Sequence, residues 1–262
     1  MSEPEDPADP RRPAGLRWWK EVLYIAAFYG VYSAIRNTQG SATVSAAHAF
    51  AHARNVIHVE RGLGLFFEER VQEAFLGWRP FIQFWNLFYG TFHFVVTIVA
   101  LVLLFRRFPA RYPRWRNTLA ATTGLALIGF ATYPLMPPRL LPASYGFVDT
   151  LRVYGGLWSF ESGPVAQVSN QYAAMPSLHF AWSAWSAFVL YPMLVRPWAR
   201  VAVLLYPAAT LFAIVVTANH YWLDAAGGAL ILGVGSTAGF ALAAATSRHP
   251  TEEAVPNRAS LT

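Results

Sequence analysis

The sequence predicts an all-α membrane protein, a polytopic bundle of six transmembrane helices with interfacial helices between the first two spans. Three observations predict it. Of 262 residues, 55% are hydrophobic and 13% charged, too few charges to coat a soluble globule of this size. Several apolar stretches reach the roughly 17 to 25 residues that a helix needs to cross about 30 Å of hydrocarbon. The arginines sit in short segments beside those stretches, so the net charge of +6 reflects membrane topology and the lipid bilayer, not a nucleic-acid partner.

Taken in order, residues 1–16 are rich in Pro, Glu, Asp and Arg and are expected to form a disordered cytoplasmic tail. Residues 17–246 form a single membrane domain, with spans expected near 19–36, 80–105, 117–136, 177–195, 199–218 and 221–245. The first begins with Arg17, Trp18, Trp19 and Lys20, a basic and aromatic interfacial anchor; no small-residue cleavage site follows closely, which argues against a removable signal peptide. Residues 247–262 are again polar and are expected to be a second disordered cytoplasmic tail. With the N-terminus inside, thirteen of the twenty Lys/Arg fall on the cytoplasmic side, which places both termini in the cytoplasm of a plasma (cytoplasmic) membrane protein. Cysteine is absent, so neither a disulfide nor a thiol nucleophile enters the reading.

Between the first two spans, Val44, Ala47, Ala51, Val56, Val59, Leu65, Phe66, Val71 and Phe75 recur at three- and four-residue spacing, which predicts amphipathic helices over 41–77 acting as a lid or collar. His48, His52 and His58 lie here. His48 and His52 have an i, i+4 spacing that can bind a metal, but no carboxylate stands at a matching position, so no metal site is assigned and no cofactor is expected. The loop 137–176, rich in Gly, Pro and Ser, is long enough to suggest a functional segment.

The chemistry-bearing residues gather at two helix starts. Met175-Pro176-Ser177-Leu178-His179 places a proline in the first turn of the fourth span, which leaves the amides of Ser177, Leu178 and His179 without intrahelical partners and favours an anion there. His220 and Asp224, at i and i+4 at the start of the sixth span, share a helical face, so the carboxylate can fix the imidazole tautomer and leave the other nitrogen free to attack phosphorus. His179 is the candidate general acid for the leaving oxygen. The topology puts both starts on the outer side of the membrane.

Pro176-Ser177-Leu178-His179 and His220-x-x-x-Asp224 resemble the second and third motifs of the type 2 phosphatidic acid phosphatase superfamily, over spans three to six. The resemblance implies a six-span bundle that works without metal through a phosphohistidine at the non-cytoplasmic face, with His220 as nucleophile, Asp224 as its orienting partner and His179 as acid. Two features depart from that pattern. The first motif, Lys-x6-Arg-Pro, has no counterpart, since Lys20 is the only lysine, and the Ser-Arg pair of the third motif falls on Ala213 and Ile214.

Pro134-Leu135-Met136-Pro137-Pro138-Arg139, followed by Gly146-Phe147-Val148-Asp149, is similar to the inositol phosphorylceramide synthase branch and its bacterial relatives. Under that resemblance Arg139 clamps the phosphate, with Ser177 and Arg152 as further phosphate-binding candidates. The alternative for Arg139 is an interfacial arginine reaching the headgroups. Asn86, Tyr89 and His93 form a stripe on the second span that, with Tyr221, is a candidate cavity lining; His93 is equally readable as a packing histidine deep in the bilayer.

The expected activity is therefore a lipid phosphatase or phosphotransferase acting on a membrane lipid phosphate or phospholipid, with water or a lipid hydroxyl as acceptor. Two other classes stay open on the residues alone. Two histidines and a carboxylate can form a metal hydrolase site, and intramembrane polar residues can mark the path of a lipid transporter or binding protein.

Overall fold

In a computed structural model, residues 16–39, 44–155 and 171–247 are described; the two tails, part of the long loop (156–170) and residues 40–43 lie outside them. Among the described residues the chain is all-α. Its helices are α1 (Trp18–Gln39), α2 (Ala46–Gly62), α3 (Glu68–Leu76), α4 (Arg79–Arg107), α5 (Tyr112–Thr132), α6 (Thr150–Tyr154), α7 (Leu178–Leu190), α8 (Pro197–Val216) and α9 (Trp222–Ser247), with short 3-10 turns at Pro138–Leu140, Ala143–Tyr145 and Tyr191–Met193.

Three of these helices are long and apolar enough to cross a membrane: Arg79–Arg107, Pro197–Val216 and, within α9, Trp222–Ala245. Their outward faces carry large exposed apolar side chains, among them Phe94, Val95, Ile98 and Val102 on α4 and Leu204 and Leu205 on α8. Such belts are stable only against lipid, and the chain is an integral membrane protein.

Two expected spans differ from the helices observed. The third, placed at 117–136, begins earlier and ends earlier: Pro113 sits in the first turn of α5, and the chain leaves the helix at Tyr133, before Pro134. Leu135 then pairs with the 171–174 segment, donating its N–H to the Tyr172 carbonyl at 2.7 Å. The fourth, placed at 177–195, has an α-helix of only 13 residues, because Ser177 caps it at one end and Tyr191-Pro192-Met193 tightens into a 3-10 turn at the other. At 1.5 Å per residue α7 is about 20 Å long, short of the hydrocarbon thickness.

Close packing of α9 on α5 sets the scaffold for the site. Gly235 and Gly239, one helical turn apart, face Thr122 and Thr118 with no room for a Cβ. This small-xxx-small stripe lets two backbones meet where the hydrophobic effect supplies no drive between helices. Toward the site end, Gly228 of α9 lies directly against the Ser177 carbonyl, and Gly129 of α5 and Gly227 of α9 close around Pro176. At the opposite end Glu21 of α1 accepts from Arg116 at 2.6 Å and from the Tyr112 hydroxyl at 3.1 Å, which ties α1 to the start of α5.

The amphipathic helices expected over 41–77 are present as α2 and α3, but with a different buried face. Ala49, Ala53, Val56, Ile57 and Glu60 of α2 are buried, together with Glu68 and Gln72 of α3, while Val59 of the expected stripe is 47% exposed. The reason is their surroundings: apolar side chains such as Val59, Leu63 and Phe67 are turned outward, and the inward face of α2 packs on Leu135, Met136, Leu141 and Phe147 of the loop and on Ala218 and Tyr221 before α9.

Candidate active site

The site is built where α7 and α9 begin. Ser177 is the N-cap of α7: its hydroxyl accepts from the Phe180 amide at 3.4 Å, and its own N–H donates to the Asp224 carbonyl at 2.8 Å. Pro176 therefore precedes the cap and is not in the first helical turn, and the Ser177 amide is taken by α9. The helix starts at Leu178, two residues later than the proline suggests, because the serine side chain satisfies an orphan donor that proline at N1 would leave open.

At the start of α9 the expected pairing is present. His220 Nδ1 lies 3.1 Å from Asp224 Oδ2, and the same oxygen accepts from the Tyr221 amide at 3.0 Å. Asp224 is fully buried and His220 nearly so. A carboxylate acceptor requires the proton on His220 Nδ1, which leaves the lone pair on Nε2. That nitrogen is 3.3 Å from Nδ1 of His179, so α7 and α9, 41 residues apart in sequence, deliver two imidazoles to one point. With Nε2 of His220 as acceptor, Nδ1 of His179 is the donor.

Two further residues of the expected stripe join them. Tyr89 stacks on His179 with centroids 4.3 Å apart, and His93 meets the same ring edge-on at 4.2 Å. His93 is 14 residues into α4, about 20 Å from its start. His179 therefore sits level with the middle of α4.

Asn86, the third member of the stripe, uses both protons of Nδ2 on the Thr150 and Gly155 carbonyls at 3.0 and 2.9 Å and accepts from the Thr150 hydroxyl at 2.8 Å. It fastens α6 to α4. Tyr221, fully buried, donates its hydroxyl to the Met136 carbonyl and braces the Pro-Pro-Arg segment against the start of α9.

Arg139 reaches the same region by a backbone route. Its N–H donates to the Ala218 carbonyl at 2.8 Å, two residues before His220. Ala218 has φ of 54°, a left-handed conformation costing a non-glycine residue on the order of 1 kcal/mol. The turn it makes lets the Asn219 and His220 amides return to the Ile214 carbonyl at 2.9 and 3.1 Å. The Arg139 guanidinium donates to Asp149 at 2.9 Å, while its Nε is buried without a protein partner. Arg152 is exposed on α6, where its amide caps onto Asp149. Ala213 and Ile214, which stand where the phosphatase motif has Ser-Arg, are fully buried, with Ile214 in an apolar cluster with Val215 and Ala225 against which Phe180 and Tyr89 pack.

The histidines of α2 take no part. His52 Nδ1 is 2.8 Å from the Pro134 carbonyl and its ring stacks on Tyr133, so it anchors the collar to the end of α5. Among the described residues no group of three or more His, Cys, Asp or Glu is arranged to hold a metal ion.

Sequence reasoning missed Glu60, Glu68, Gln72 and Gly228. Gln72 exchanges two hydrogen bonds with Val148 at 3.0 and 2.8 Å and holds the 147–149 loop. A signal existed in the spacing 49, 53, 56, 60, which puts Glu60 in line with three apolar positions on one helical face.

Fold and site together define a helical membrane protein with a histidine–histidine–aspartate cluster at the starts of α7 and α9. Residues 54–238, more than half of the chain, match the family model described as the PAP2 superfamily, and the chain belongs to that superfamily. Membership implies phosphatase or phosphotransferase chemistry on lipid phosphates in general terms, without naming a branch. No curated protein and no solved structure matches the chain.

Proposed function

We propose that the protein is a metal-independent lipid phosphatase or phosphotransferase working through a phosphohistidine on His220. The observation that carries this reading is the relay from Asp224 Oδ2 to Nδ1 of His220, and from Nε2 of the same ring to His179. The phosphorus of a lipid phosphoester takes the place of the His220–His179 hydrogen bond. Nε2 of His220 attacks it, the bond from phosphorus to the leaving oxygen breaks, and His179 gives that oxygen its proton. His179 then takes a proton from the acceptor hydroxyl, whose oxygen displaces His220 from phosphorus. Asp224 stabilises the charge that the His220 ring carries in between.

Arg139 is the proposed phosphate clamp, held ready by Asp149, with its buried Nε as the spare donor. Ser177 and Arg152 are weaker contributors, the first because its hydroxyl is engaged in capping and the second because it is exposed. Six spans are proposed, α1, α4, α5, α7, α8 and α9, with both tails in the cytoplasm of the plasma membrane and the site opening to the outer face. The charge pattern of the flanking segments supports that orientation.

Transfer to a lipid alcohol, as in the inositol phosphorylceramide synthase branch, is favoured over hydrolysis by one feature. Buried Ile214 replaces a phosphate-binding arginine, and a phosphodiester carries less charge to neutralise than a monoester. Purified protein offered varied phospholipids, with and without an alcohol-bearing lipid and in the presence of a chelator, tests the whole reading. A new headgroup lipid identifies the transferase and free phosphate the phosphatase. Loss of activity on chelation contradicts the metal-free mechanism.

A further inference from the structure

The α2–α3 turn brings two carboxyls together beside the catalytic helix. Glu60 ends α2, Glu68 begins α3, and the turn between them, with Gly64 at φ 71°, folds both inward until each is fully buried. Glu60 Oε1 accepts from the Leu223 amide of α9 at 2.9 Å. The Trp222 amide also stabilises the charged form of Glu68. The other three carboxyl oxygens have no donor of good geometry among the described residues. Both carboxyls are fully buried at one turn, three of their four oxygens lack such a donor, and each is near enough to shift the other's proton affinity, so a single proton between them satisfies both.

Resting on the catalytic reading above, we propose that Glu60 and Glu68 share one proton and, as a singly charged pair, act as positioning residues that hold the first turn of α9. The pair serves as an N-cap supplied by other helices. The amides of α9 that would otherwise attract an anion are occupied: Tyr221 by Asp224, Leu223 by Glu60. Substrate phosphate is therefore received on the α7 side of the cluster. The collar helices are also locked to the residues that set the His220 tautomer.

Burial, and then the neighbouring Glu68, push the Glu60 carboxyl up to about 9; burial likewise raises Glu68. The titratable groups facing the pair are Asp224 and Tyr221 at the start of α9, with Tyr145 of the 3-10 turn beyond Tyr221.

The test uses the full chain in detergent and two readouts. Thermal unfolding without substrate, measured across pH, reports the pair itself; kcat and KM on a lipid phosphate report its effect on His220. In Glu60→Gln and Glu68→Gln the amide stands in for the protonated partner, so the melting temperature is expected close to the parent's near pH 4.5 and above it at higher pH. The fall in stability toward pH 9 should vanish in both. Glu60→Gln/Glu68→Gln removes the anion and is expected to lower kcat about 10- to 100-fold with KM within about threefold.

A parent whose melting temperature does not fall toward pH 9, single variants that keep the parent's slope, or a double variant with parental kcat would overturn the proposal. If no variant and no parent turns over any lipid phosphate, the catalytic reading fails, and the unfolding profiles still judge the shared proton.

Discussion

The two helix starts that carry the histidines are finished in opposite ways. The start of α7 is local: Ser177 caps its own helix, and His179 follows two residues later. The start of α9 is shared, with its own Asp224 reaching back to Tyr221 and a carboxyl from α2 taking the Leu223 amide. The difference separates two tasks. A nucleophile must be held in one tautomer and one direction, so the start of α9 is pinned from within by Asp224 and from α2 by Glu60. An acid must receive substrate, so α7 is left with a single short-range cap and is seated by α9 through the Ser177–Asp224 backbone bond.

Removal of the His220–Asp224 contact has the largest expected effect. His220→Ala is expected to lower turnover of a lipid phosphate by on the order of 10³-fold or more, and Asp224→Ala to do nearly the same, read in detergent or vesicles. His48→Ala, remote from the cluster, should leave turnover within about twofold.

A methyl group on Gly228 attacks the junction between the two starts. Its Cβ would run into the Ser177 carbonyl, so Gly228→Ala should destabilise by about 1 to 3 kcal/mol in thermal unfolding and reduce kcat by displacing His179. Parental stability would mean that α7 can move away freely.

The carboxyl pair makes the imported contact at the start of α9 sensitive to pH. Glu60 holds its proton more tightly folded, at about 9, than unfolded, at 4.5. The stability it contributes is complete below about pH 4.5 and is lost as pH rises toward 9. Melting temperature against pH should therefore slope downward across that window, and Glu60→Gln should flatten it.

The smallest effect belongs to the local cap. Ser177→Ala is expected to cost about 1 kcal/mol or less, because the Oγ to Phe180 amide distance is long at 3.4 Å. An increase in KM well beyond that loss would instead give the hydroxyl a direct role with phosphate.

The sequence made some of this legible because the signals were local. Long apolar runs marked α4, α8 and α9, and the i, i+4 spacing of His220 and Asp224 announced their contact before any tertiary information. The short extent of α7 was not legible: its apolar run continues through Tyr191-Pro192-Met193, and only the 3-10 geometry stops the α-helix. The true inner face of α2 and α3 was hidden for a different reason. Beside lipid, apolar side chains face outward as readily as inward, so hydrophobic spacing alone cannot say which stripe meets the protein. Glu60 and Glu68 read as ordinary charged surface until a second helix is placed against them.

The most direct test of the central claim is turnover of a panel of phospholipids by purified parent protein and by His220→Ala, both in chelator. The parent is expected to release phosphate or form a new headgroup lipid while the variant forms neither. Equal product from the His220→Ala protein would contradict the account.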